Sequence, residues 1–186
     1  MAIPRCVVSG TAPGETPEDP WRAVRKSRCG KGMSRKAVRP RNPWEDRFQA
    51  PEASDLVGAM PRHLASLVEH TRESLQGLGG VVETIVWRGV PWRWTFCYAD
   101  EADPGRPWGY LVPQAGRPVL SIPISSDVVQ LLPMKRLSKP VKDGIALAAQ
   151  VAGVFWPQWD LSSKSQIAEL VEIARKRREG LLTATA

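Results

Sequence analysis

Trp92-Arg93-Trp94-Thr95-Phe96-Cys97-Tyr98 alternates aromatic and non-aromatic residues at every step. Period two is the repeat of a β-strand. The pattern therefore predicts one strand with Trp92, Trp94, Phe96 and Tyr98 on one face and Arg93, Thr95 and Cys97 on the other. Four large rings on a single face must be covered by the protein's own helices or by a ligand. Arg93 on the second face predicts that this side is open to water, as one side of an antiparallel sheet often is.

Reading backwards from the stretch, Arg88, Gly89, Val90 and Pro91 break the chain, and a second apolar strand over residues 81–87 pairs with the first as a hairpin. Before it, Pro61 suits a helix start and Leu64, Leu67, Val68, Thr71 and Leu75 recur at three- and four-residue steps, so an amphipathic helix ends at the glycines of residues 77–80.

Reading forwards, residues 100–107 are a polar, proline- and glycine-broken connection. A third strand starts at Trp108 and places Trp108, Tyr110 and Val112 on one face, where simple register would let them extend the aromatic stripe. A fourth strand follows over residues 118–124. Ser126 or Asp127 caps a short helical turn ended by Pro133. A longer helix runs from Ser138 along Val141, Ile145, Ala148, Ala149 and Ala152 to Gly153. Residues 154–160, with Trp156 and Trp159, form an edge strand or a packed apolar loop. Ser163 and Gln166 have the spacing of a capping box, and the helix they open turns Ile167, Leu170, Val171 and Ala174 inward. The expected fold class is α+β: an antiparallel sheet of four to five strands with helices mainly on one face, a two-layer sandwich.

Composition divides the chain. Of the 186 residues, the first 52 hold 11 Lys and Arg against 6 Asp and Glu, whereas the remainder holds 15 against 13, so most of the net charge of +7 sits in a Pro- and Arg-rich tail. Such composition buries too little apolar surface to offset ordering entropy, which predicts a disordered tail over 1–52, one domain over 53–180 and a flexible end over 181–186. No apolar run is long enough for a secretory signal or a membrane span, and a cytoplasmic protein without a membrane partner is expected. Cys6, Cys29 and Cys97 are an odd, widely spaced set that specifies neither disulfides nor zinc.

The pattern Glu83-Thr84-Ile85, Trp87 and Pro91 after an opening helix, with Ser163-Lys164, Ile167 and an arginine-rich final helix to Arg178, resembles the DUF1801 and DUF3788 families. The resemblance implies a small α/β domain distantly similar to frataxin, and with it an iron-chaperone alternative. Carboxylate and imidazole ligands for iron would then come from His63, Glu69, His70 and Glu73 on the first helix.

No histidine lies near Cys97, and no Gly-rich phosphate loop or His-Glu-x-x-His motif is present, so catalysis is disfavoured. Glu83 is the one carboxylate candidate for acid or base work. Without a predicted cofactor, the expectation is a non-enzymatic binding module for a small molecule or a protein segment. Its pocket edge would be built from Trp87, Arg88, Trp92, Trp94, Trp108, Tyr110, Trp156 and Trp159. A nucleic-acid alternative rests on the tail and on Arg175, Lys176, Arg177 and Arg178, a run that equally complements the C-terminal dipole of its helix.

Overall fold

A computed structural model describes residues 42–184, with side chains to residue 180. The reading of residues 1–41 as a disordered tail lies outside the described residues. The Asn42 side chain caps a 3-10 turn at Pro43–Glu45. The elements that follow are α1 (Ala53–Gly58), α2 (Arg62–Gln76), β1 (Val81–Trp87), β2 (Trp94–Asp100), β3 (Gly109–Val112), β4 (Val119–Ser121), β5 (Ile124–Ser125), α3 (Ser126–Leu131), α4 (Lys139–Ala146), β6 (Ala149–Val151), β7 (Val154–Trp156), β8 (Gln158–Asp160) and α5 (Lys164–Ala184).

Five strands make one antiparallel sheet in the order β1-β2-β3-β4-β8, and β5-β7-β6 make a second, three-stranded sheet. The fold is a mixed α+β sandwich. Phe96 is opposite Ile85 and Leu111, and Leu111 is opposite Leu120, which in turn faces Trp159. These residues share one face of the sheet. Helix α2 lies over it with Val68, Thr71 and Leu75 buried, and α4 lies over it with Val141 and Ile145 buried. Helix α5 packs on both, through Ile167, Leu170, Ile173 and Ala174. At its start, Ser163 Oγ accepts from Gln166 N at 3.2 Å while the Gln166 side chain accepts from Ser162 N at 3.0 Å, so the capping pair reaches one residue further back than its spacing predicts.

Four expectations change. The tail boundary at residue 52 falls too late: Trp44 is buried, its indole Nε1 donates to the Trp92 carbonyl at 3.2 Å, and the Trp94 Nε1 donates to the Asp46 carbonyl at 2.6 Å. At the other end, α5 continues through Ala184, so the boundary expected at residue 180 falls inside a helix. The helix expected to reach Gly153 stops at Ala146, because Ala149–Val151 and Val154–Trp156 pair as a hairpin. Ala152 (φ 50°) and Gly153 (φ 79°) make its turn, two successive positive φ values of the kind two-residue hairpins favour. Finally, Ser125 rather than Ser126 or Asp127 caps α3. Among the described residues no helix is long and apolar enough to cross a membrane.

Tight packing locates two sensitive positions. A side chain at Gly144 of α4 would run into the Trp159 indole, whose Cε2 would lie 3.1 Å from the new Cβ while Nε1 is held 3.0 Å from the Val141 carbonyl. Gly144→Ala is expected to lower stability by about 1–3 kcal/mol, as overpacking does. Trp44→Ala is expected to cost about 3–5 kcal/mol, in keeping with a core tryptophan rather than a tail residue. Urea denaturation monitored by circular dichroism checks both, and an unchanged midpoint for Trp44→Ala would return residues 42–52 to the tail.

Candidate functional site

The hairpin between β1 and β2 turns through Arg88, Gly89, Val90, Pro91, Trp92 and Arg93, closed by Arg88 N to the Arg93 carbonyl at 2.8 Å and Arg93 N to the Gly89 carbonyl at 2.5 Å. Arg93 adopts φ 52°, the left-handed region that non-glycine residues seldom enter. Alternation therefore fails there. Strand β2 starts at Trp94, and only Trp94, Phe96 and Tyr98 form the stripe. Trp92 leaves it and packs against Tyr110 at 5.2 Å and Trp156 at 6.2 Å between ring centroids.

Register moves Tyr110 as well. Tyr110 is opposite Cys97 on one side and Ser121 on the other, so it belongs to the face away from the helices and does not extend the stripe. Trp108 precedes β3, is 1 % exposed, and packs 6.0 Å from Tyr98 with the Arg178 guanidinium 5.6 Å over its ring. The eight candidate pocket residues thus separate into three groups. Trp94, Trp108 and Trp159 are buried in the helix-side core. Trp87 meets Trp94 edge-on at 5.6 Å and lines a shallow depression of about 390 Å³ with Phe48, Val90 and Arg93. Arg88, Trp92, Tyr110 and Trp156 come together on the opposite face.

That face is not open. Thr95, Cys97, Ala99, Tyr110 and Val112 are all buried, and water reaches it chiefly at Thr84 and Val86 on β1. Nor does Arg93 stand free in solvent: its guanidinium lies 4.6 Å over the Trp44 ring and pairs with Glu45. Trp156 stacks on Tyr110 at 5.8 Å with 28° between the planes, and the Arg88 guanidinium sits 5.1 Å from the Tyr110 centroid. Trp92 and Trp156 are half-buried and Arg88 is exposed, so the cluster keeps aromatic edges and a guanidinium at the surface.

Burial is the main electrostatic influence here. It raises the Tyr110 phenol pKa against the opposing Arg88 charge, and likewise raises the Cys97 thiol. A buried, protonated thiol on a strand is a small core group rather than a nucleophile. Arg177 reaches the same neighbourhood from α5, its Nε donating to the Pro123 carbonyl at 2.9 Å. Its pKa is lowered, first by burial and then by the charge of Arg106.

The other candidates are occupied or apart. Arg72 grips the Glu83 carboxylate with contacts of 2.6, 3.1 and 3.2 Å and lies 4.7 Å over Phe96, which removes Glu83 as a free base. His63, Glu69 and Glu73 are exposed and His70 is half-buried on α2, and among the described residues no three His, Cys, Asp or Glu side chains gather to hold a metal. The basic run of α5 does not form one patch. Arg175 pairs with Glu172 at 2.8 Å, Lys176 with Glu179 at 3.3 Å, and Arg178 binds Asp100 at 2.6 Å and the Leu78 carbonyl at 3.3 Å, tying the helix to the sheet. Missed in the sequence were Arg106, Arg177 as a partner of Tyr110, and Trp44; only the tryptophan carries a signal, an aromatic between Pro43 and Glu45 in an otherwise polar stretch.

The chain matches no protein-family model and no curated protein sequence.

The two tyrosines give a pH test. Tyr98 is pushed well above the ordinary phenol value, chiefly by burial and then by the Glu83 carboxylate, and Tyr110 is raised by burial. The folded protein therefore keeps protons that the unfolded chain releases from about pH 10 upward. Their stabilising contribution is full below that pH and is lost as pH rises toward the folded values. Tyrosinate absorbance is expected to lag free tyrosine and to rise together with unfolding, less steeply in Tyr98→Phe; ionisation of both phenols at the free value with the fold intact would contradict the buried placement.

Proposed function

We propose that this protein is a non-enzymatic binding module of the cytoplasm, and that its binding surface is the cluster of Arg88, Trp92, Tyr110 and Trp156 beside the β1–β2 hairpin. One observation carries the reading: two half-buried indoles and a guanidinium converge on Tyr110 at the surface of a sheet whose other face is sealed by helices. Flat, rigid aromatic walls with a few polar groups are the usual make-up of ligand sites. The occupied state of Glu83 and the buried thiol of Cys97 support binding over catalysis. Kinship with the DUF1801 and DUF3788 families is part of the same proposal, and its motif residues Glu83, Thr84, Ile85 and Trp87 lie on β1, with Pro91 in the hairpin turn that shapes the cluster.

Phenyl phosphate is a suitable first probe, since it joins one aromatic ring to an anion. In a heteronuclear NMR titration of the full chain it is expected to shift the Trp92 and Trp156 indole signals saturably. The Trp108 and Trp159 indoles, enclosed in the core, stay still. Saturable shifts confined to other parts of the molecule, or none at the cluster, would defeat the reading.

A further inference from the structure

Three arginines come near Tyr110 from different elements: the Arg88 guanidinium lies 5.1 Å from its ring centroid, Arg106 precedes Pro107, whose carbonyl accepts from the Tyr110 hydroxyl at 3.4 Å, and Arg177 is fixed on Pro123, next to the Ile124–Phe155 pair that leads into Trp156. Among the described residues Arg72, Arg93, Arg117, Arg175, Lys176 and Arg178 each form an ion pair, and Arg88, Arg106 and Arg177 are among the basic side chains that form none. Arg177 is the telling member. Its Nε is fixed on the Pro123 carbonyl at 2.9 Å, yet its Nη1 is buried without a hydrogen-bond partner. The carboxylate that favours its charge, Asp100, is already held by Arg178 at 2.6 and 2.7 Å. The charge of Arg106 acts against it. A partly desolvated cation beside a second cation, with no anion assigned to it, is unfavourable in the free protein. Arrival of an anion would relieve it.

The neighbouring surface defines the rest of that ligand. Trp156 stacks on Tyr110, and Trp92 adds a second half-buried indole 6.2 Å from Trp156. Arginine and aromatic residues placed together stack on planar bases without demanding a particular one, while guanidiniums match the oxygens of phosphate. More than one unpaired guanidinium also favours a phosphate over a singly charged carboxylate. Extending the binding reading above, on which this step rests, we infer that the Tyr110 cluster takes a nucleoside phosphate, its base against Trp92 and Trp156 and its phosphate toward Arg106 and Arg177.

The same chemistry comes from a free nucleotide or from a single strand of nucleic acid, and the test separates them. Titrating the full chain with AMP is expected to shift the Trp92 and Trp156 indoles, with affinity about tenfold above adenosine and above phenyl phosphate. Arg106 is exposed and unpaired, so Arg106→Ser should keep the wild-type melting temperature while weakening AMP about fivefold and leaving adenosine unchanged. If the source is a single strand, oligoadenylate binds far more tightly than AMP and loses affinity steeply with salt; if it is a free nucleotide, the oligomer gains nothing over AMP. Phenyl phosphate binding at the cluster as tightly as AMP, or an Arg106→Ser chain with undiminished AMP affinity, would overturn the nucleoside phosphate and leave the binding module standing. Silence of the cluster toward both probes would remove both.

Discussion

The left-handed backbone at Arg93 is the constraint on which both faces of the sheet depend. A non-glycine residue in that region is disfavoured by about 1–2 kcal/mol. Several contacts offset this. The Arg93 N–H donates to the Gly89 carbonyl and its own carbonyl accepts from Arg88, while its guanidinium lies over Trp44 and pairs with Glu45. All four partners come from the hairpin itself or from the 3-10 turn that packs beside it. Without the reversal at Arg93, period two would carry Trp92 onto the helix side with Trp94. With it, Trp92 turns to the other face and meets Tyr110 and Trp156, so the same short stretch supplies both a core stripe and a surface cluster.

What the sequence made legible follows this division. Uninterrupted periodicity worked: β1 spans the residues its apolar pattern indicates, Val68, Thr71 and Leu75 of α2 are buried at their helical spacing, and Ser163 and Gln166 open α5. Face assignment across strands did not, because it depends on register, which one strand's composition does not encode. Tyr110 alternates with Leu111 as expected, but only its pairing with Cys97 decides that it lies away from Phe96. The helix expected to run to Gly153 failed for a related reason. Alanines at helical spacing are equally compatible with a short hairpin, and the pairing of β7 with β5 and β6 selects the hairpin.

Charge shows the difference between counting and placement. Four consecutive basic residues at 175–178 look like a patch, but successive residues on a helix point in different directions. Arg178 turns to Asp100 and the Leu78 carbonyl, Arg177 to the Pro123 carbonyl, and Arg175 and Lys176 to glutamates on their own helix. The run therefore staples α5 to the end of the sheet. The charge that matters for the candidate site is instead assembled from three distant places, Arg88, Arg106 and Arg177, and no window along the chain contains it.

The cluster is also held in a way that favours binding without rearrangement. The Trp92 carbonyl accepts from both the Trp44 indole at 3.2 Å and the Thr95 hydroxyl at 2.9 Å, so the backbone is fixed while the ring remains half-buried. Trp156 immediately precedes Pro157, which is buried, and β8 then pairs with β4, so its position is fixed from the C-terminal side. Tyr110 is set between two strands and its hydroxyl reaches the Pro107 carbonyl at 3.4 Å. Rings whose backbones are ordered before a ligand arrives lose little further conformational freedom on binding. Trp44 thereby acts on the cluster from the opposite side of the hairpin: it supports the Arg93 conformation and anchors the Trp92 carbonyl. A change at Trp44 should accordingly loosen Trp92 even though the two side chains serve different faces of the sheet.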